Sequence, residues 1–266
     1  MGDPGRRLFF FSHLPDGPAR GALVICPSIG AEFRRNYNRE VLLARAMAAR
    51  GIAVLRFQYR GTGASEGDPQ ELTVDSMIED ARSVAEAAPD GGRIAFLGTR
   101  LGATVAAVAA SAHPGAPLAV WDPVADPDAY LRELHRSRLA RDLRAGRQEG
   151  SPEEEIRSRG LMDVLGYAVG KALVASVREA GSPVAGPRPV ILVSLGRSNG
   201  AHPKHMALAE RWREEGALVD LRSVAGYASW WLYDQRELAA EAATGSADLV
   251  APTADWLAAR LGEVDR

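Results

Sequence analysis

The chain has 266 residues, 46% of them apolar and 25% charged, which is enough for one large α/β domain with a sizeable core. A formal net charge of −2 gives no electrostatic case for nucleic acid or for an acidic membrane surface, so neither is expected as a partner. No run approaches the ~18 apolar residues of a membrane span, the patch at 8–11 is too short for a signal-peptide core, and the single cysteine, Cys26, excludes an internal disulfide and fits a cytoplasmic location.

Taken in chain order, short apolar runs, most of them bounded by Gly or Pro, predict strands at 8–12, 22–26, 52–57, 94–97, 118–121, 190–194 and 219–224. Helical patterns lie between them at 39–50, 72–88, 103–112 and 205–215, with a last one at 251–261. Strand-helix alternation at this spacing implies right-handed crossovers and a doubly wound, mostly parallel α/β sheet. The rhythm breaks between 126 and 186, where no strand is predicted. Helical stretches are expected there at 130–147 and 164–179, and Ser151 followed by Pro152 and Glu154 marks a helix start. The expected organisation is therefore a core of residues 1–125 and 187–266 with a helical cap insertion at 126–186. The insertion reads either as a cover for a substrate or as surface elaboration.

The strand at 94–97 runs straight into Gly98-Thr99-Arg100-Leu101-Gly102 and then into an Ala/Val-rich helix. This strand-turn-helix sequence lifts residue 100 to the top of the sheet, beside the helix N-terminus. Unpaired backbone N–H groups and the helix dipole favour an anion at that point. A guanidinium adds a planar two-pronged donor for carboxylate or phosphate. Two readings follow for Arg100. It holds an anionic group of a ligand or a developing oxyanion, or it forms a structural ion pair with Asp122, which ends the next strand. Arg100 and Asp122 are accordingly the candidate catalytic pair.

Other loops are expected to open on the same crevice. Arg34, Arg35, Asn36 and Tyr37 follow the Pro27-Ser28-Ile29-Gly30 turn, Gln58, Tyr59 and Arg60 follow the next strand, and Tyr227, Ser229, Trp230 and Trp231 follow the last. The candidate substrate-binding set is Ser28, Ile29, Arg34, Arg35, Tyr59, Thr99, Leu101, Tyr227, Ser229 and Trp230. A small-molecule or peptide-like ligand is expected, with a protein partner as a further option. The glycine-rich stretch 61–67 lacks both the dinucleotide-binding pattern and the P-loop lysine, and no cofactor is implied. His202 and His205 lack carboxylate or thiolate companions nearby, so no metal site is expected. Ala201-His202-Pro203 reads instead as a helix start.

Three segments resemble the α/β-hydrolase superfamily, over residues 8–261: Ala22 to Gly30, Arg56 to Gly67, and the turn around Arg100. In that family the turn is the G-x-S-x-G nucleophile elbow, and here Arg100 stands in the serine's place. A guanidinium cannot attack a carbonyl. The resemblance implies an acid after the strand at 190–194, where Ser198 or Asn199 stands, and a histidine after the last strand, where Tyr227 or Ser229 stands. A standard serine hydrolase is therefore not expected. The elbow, Trp121-Asp122-Pro123-Val124 and Leu165-Gly166-Tyr167 are similar to the exosortase-system-associated hydrolase-like proteins, which implies a biosynthetic or export-linked role. Three readings stay open: a non-hydrolytic enzyme for acyl, carboxylate or peptide-like substrates centred on Arg100, a pseudo-hydrolase serving as a binding or partner subunit, and a hydrolase using Cys26 or Ser28.

Overall fold

The strand-forming runs assemble into one seven-stranded, mostly parallel sheet. The computed structural model describes residues 5–89, 92–144, 146, 151–196, 200–225 and 247–262. The strands are β1 (Phe10–His13), β2 (Gly21–Cys26), β3 (Ala53–Phe57), β4 (Arg93–Thr99), β5 (Leu118–Trp121), β8 (Pro189–Gly196) and β9 (Leu218–Ala225), in the sheet order β1-β3-β2-β4-β5-β8-β9. Edge strand β1 is antiparallel to β3, and every other pairing in the sheet is parallel. All seven expected strands are present, each displaced by no more than two residues at either end.

Both faces of the sheet are covered. Leu23, Ile25, Leu97 and Trp121 face α1 (Gly30–Ala48) and α8 (Ala247–Gly262). Val24, Phe96, Val120 and Leu192 face α2 (Val74–Glu86), α3 (Gly102–Ala110) and α7 (Pro203–Glu214). The period-2 alternation of each strand thus supplies two apolar cores, one on either side. No described helix is long and apolar enough to cross a membrane.

Two expectations need correction. Helix α1 begins at Gly30 rather than residue 39, so Arg34, Arg35, Asn36 and Tyr37 are helical and not a loop. Its inward face is Glu32, Arg35, Asn36, Arg39 and Glu40, then Leu43, Ala44 and Met47. This is a regular helical stripe whose first half is polar. Part of it is satisfied by an ion pair: Glu40 Oε2 lies 3.4 Å from Arg56 Nη2, both side chains almost fully buried. The Arg56 guanidinium also stacks 4.6 Å over the Tyr37 ring.

The second correction concerns residues 126–186, which are not purely helical. Helices α4 (Pro127–Arg144) and α5 (Pro152–Arg159) are followed by a hairpin, β6 (Leu161–Val164) and β7 (Tyr167–Gly170), and then α6 (Lys171–Ala180). The expected start of α5 is present, with Ser151 Oγ accepting from Glu154 N at 3.1 Å. The hairpin turn Leu165-Gly166 has φ of +56° and +90°, the pattern of a two-residue type I′ turn. Leucine at the first position is strained there, where Asn or Asp is usual.

The two glycines flanking Arg100 are set by close backbone approach. A Cβ on Gly98 would collide with Gly102 and Ala103, and one on Gly102 with the Cys26 and Pro27 carbonyls. Backbone atoms cannot yield as a flexible side chain would. Gly102→Ala should therefore cost about 1–3 kcal/mol of stability, read as a lower urea midpoint, and an unchanged midpoint would refute the packing argument.

Candidate functional site

The parallel register sets the end of β2 beside the elbow, pairing Cys26 with Gly98. Arg100 then sits at the strand-to-helix turn with φ of +54°, its N–H donating to Trp121 O at 3.0 Å. Asp122 next door is also left-handed, φ +48°, and donates its N–H to Val193 O at 2.8 Å. Two adjacent non-glycine residues in this conformation cost on the order of 1–3 kcal/mol each. The backbone bonds to β5 and β8 hold them there.

The guanidinium is surrounded by carboxylates. Arg100 Nε donates to Glu32 Oε1 at 2.9 Å, Nη1 to Asp122 Oδ2 at 3.2 Å, and Nη2 to Glu133 Oε2 at 2.7 Å. The Tyr130 ring lies 5.5 Å from the guanidinium carbon, and its hydroxyl donates to Glu32 Oε2 at 3.3 Å. Burial alone would lower the Arg100 pKa, but the charges of Glu32, Glu133 and Asp122 outweigh it and raise the pKa. Glu32 moves up because burial outweighs the pull of Arg100. Of the two sequence readings of Arg100, the geometry assembles the ion pair. It includes Asp122 and adds Glu32 from α1 and Glu133 from α4.

Asp122 Oδ1 meanwhile accepts from Leu195 N at 3.1 Å and lies 3.6 Å from His205 Nδ1. His205 is buried, and its Nε2 bonds the Pro123 carbonyl at 3.0 Å, so Nε2 carries the proton. Its Nδ1 then accepts from the Ser194 hydroxyl at 2.8 Å. Burial pushes the His205 pKa down despite Asp122, keeping the ring neutral. Serine, imidazole and carboxylate therefore meet, but not as a relay. A triad places serine and acid on opposite ring nitrogens, whereas here both face Nδ1. Ser194 is also only 2% exposed and is absent from the wall of the cavity beside Arg100. His202 caps α7, its Nδ1 accepting from Lys204 N at 3.2 Å.

Beside the Arg100 cluster lies a cavity of about 400 Å³. Its walls come from the loop after β2 and the start of α1, the loop after β3, α4, and the β6–β7 hairpin. Most of the lining is apolar, with Ser28, Glu32, Gln58, Thr62, Glu133 and Ser137 supplying polar groups. The Tyr59 hydroxyl donates to Pro27 O at 3.0 Å, bracing the loop after β2 from the loop after β3. The loop after β3 is itself fixed by Gln58, whose Oε1 accepts from Ala64 N at 2.7 Å, and by Arg60, whose Nε donates to Asp80 Oδ1 at 2.7 Å.

The candidate residues divide accordingly. Ser28, Ile29 and Tyr59 lie on the cavity wall. Thr99 and Leu101 are buried in the core and do not reach it, because the elbow turns them toward the sheet and its helices. Arg34 is exposed on α1 and Arg35 is buried on it, and neither lines the cavity. Arg100 and Asp122 lie behind Glu32 and Glu133 rather than on the wall. Tyr227, Ser229, Trp230 and Trp231 fall outside the described residues, as do Ser198 and Asn199. Cys26 is fully buried, and burial followed by the charge of Glu40 pushes its thiol well above the usual range. Ser28 Oγ accepts from Asn36 Nδ2 at 3.3 Å, and no histidine bonds it among the described residues. The sequence reading missed Glu32, Glu133 and the hairpin residues 164–169.

No family model matches the chain. An uncharacterized protein of Mycobacterium tuberculosis, Rv2307c, is 34% identical over 126 residues, which is 45% of this chain and 42% of that protein. The chain thus matches less than half the length of that relative. Among solved structures, Est1E from Butyrivibrio proteoclasticus, determined with ferulic acid bound, superposes with a TM-score of 0.64 at 15% identity, covering 97% of each chain. XC6422 from Xanthomonas campestris, a serine hydrolase described as having no lid, gives 0.54 at 18% identity over 97% of this chain and 91% of its own. A serine hydrolase homologue from Coxiella burnetii gives 0.54 at 16% identity over 98% and 95%. At such identities the likeness speaks to architecture alone. With the parallel sheet order and the strained turn after β4, it identifies the α/β-hydrolase fold.

Proposed function

We propose that this protein is a hydrolase-fold binding protein that does not use the serine-hydrolase reaction and holds a small, mostly apolar molecule in the cavity under residues 126–186, which act as its cap. The single observation that carries this reading is the state of Arg100. It sits at the strained turn after β4, where the fold leads one to expect a nucleophile, and is bonded by Glu32, Asp122 and Glu133, while the adjoining cavity keeps an apolar lining. A pocket of this size and lining suits a small organic ligand.

The geometry favours binding over a non-hydrolytic enzyme with Arg100 as anion-binding centre, because the guanidinium already has its anions and lies behind the wall. A hydrolase built on Cys26 is disfavoured by the raised thiol pKa, and one on Ser28 by the lack of a described imidazole partner. Kinship with the exosortase-system-associated proteins, and with it an export-linked biosynthetic setting, belongs to the same proposal. In its support, the three segments that carry that likeness converge: Arg100 bonds Asp122, and Leu165 to Tyr167 wall the cavity beside them.

The test is a panel of p-nitrophenyl esters together with a fluorophosphonate probe and iodoacetamide. Neither labelling nor turnover is expected. Stoichiometric labelling of a serine or of Cys26 with matching ester turnover would overturn the proposal.

A further inference from the structure

Resting on the cavity reading above, we infer that the occupant is an apolar amine, its hydrocarbon body among Ile29, Leu134, Val164 and Leu173 and its ammonium group at Glu133. The cavity itself is apolar, and the only charged residues on its described wall are Glu32 and Glu133, with no Lys, Arg or His among them. Arg100 stands behind these carboxylates with its three nitrogens already directed to three acids. Three carboxylates against one guanidinium leave the cluster behind and on this wall with an excess of negative charge. Because burial raises the Glu32 pKa, the balance with Glu32 protonated also matters. Asp122 and Glu133 still outnumber Arg100.

Glu133 is placed to receive a ligand. Its Oε2 is held by Arg100, its side chain is 23% exposed, and its Oε1 makes no hydrogen bond among the described residues. Glu32 is less available, since both of its oxygens are engaged, by Arg100 and by Tyr130. An ammonium against Glu133 Oε1 would gain a charge-assisted hydrogen bond in a half-buried setting where charge pairs are poorly screened. A carboxylate in the same position would meet like charge with no cation among the described wall residues. An alcohol would gain only a neutral hydrogen bond. The expected occupant is therefore the opposite, in charge, of an anionic substrate bound by Arg100.

The full chain is titrated calorimetrically at pH 7.5 with n-octylammonium, 1-octanol and octanoate, three probes alike in body and different in head group. Octylammonium should bind about tenfold tighter than octanol and octanoate weaker than either. Glu133→Gln should reduce octylammonium affinity about tenfold, with circular dichroism confirming the fold. If that variant does not fold, the ranking on the unmodified protein decides alone. Equal affinities, or octanoate binding tightest, would overturn the amine assignment and leave the cavity reading standing. No binding by any of the three at millimolar concentration would overturn both.

Discussion

Arg100→Leu should lower folding stability by about 3–5 kcal/mol, the range seen when one partner of a buried ion pair is removed. Leucine fills part of the space but leaves Glu32, Asp122 and Glu133 facing one another with no cation between them. Urea denaturation at pH 7.5 measures the loss. Its size should shrink as pH falls, because protonating the acids relieves their repulsion. Arg100→Lys should fall between the two, since an ammonium restores charge but cannot reach three acids with a planar fork. A loss below about 1 kcal/mol for the leucine variant, within the range of a surface pair, would mean the cluster is not a structural centre.

The second large effect is a pH dependence from Glu40. Burial outweighs the attraction of Arg56 and raises the Glu40 pKa from 4.5 to about 7, and Glu40 Oε1 has no hydrogen-bond partner among the described residues. The folded chain therefore keeps a proton that the unfolded chain releases near 4.5. Between about pH 4.5 and 7 the native state binds more protons than the unfolded state, so this group's contribution to stability falls as pH rises. The interval from 4.5 to about 7, at about 1.4 kcal/mol per pH unit, is worth about 3–4 kcal/mol. Comparing the unmodified protein with Glu40→Gln at pH 4.5, 6 and 7.5 isolates the effect. The variant should lack most of this decline, and parallel pH profiles would refute the assignment.

Strands were legible because most are short apolar runs bounded by Gly or Pro, and the elbow because glycines bracket it. The first half of α1 was not, for a definite reason. Residues 32, 35, 36, 39 and 40 keep helical spacing, but the stripe is charged and polar, so a search for apolar periodicity starts only near Leu43. The hairpin was hidden by Val164 to Val177, whose apolar residues fit helical spacing. Its turn carries Leu165 where Asn or Asp would have announced a type I′ loop. Asp122 could be paired with Arg100 because it ends the neighbouring strand. Glu32 and Glu133 lie 68 and 33 residues from Arg100, and only the packing of α1 and α4 over the sheet brings them in. A buried arginine signals that anions must be near without saying from which segments they come.

One side chain thus rivets four parts of the chain: the turn after β4, the end of β5, the first turn of α1 and the middle of α4. Lids that swing do so on hinges with few anchors, and α4 is anchored at its inner face to the sheet's own summit. Deuterium uptake along α4 should accordingly track whole-molecule unfolding. The β6–β7 hairpin shares this anchorage, because Arg138 of α4 donates to Asp163 O at 2.8 Å, so the described cover of the cavity is bolted down on two sides.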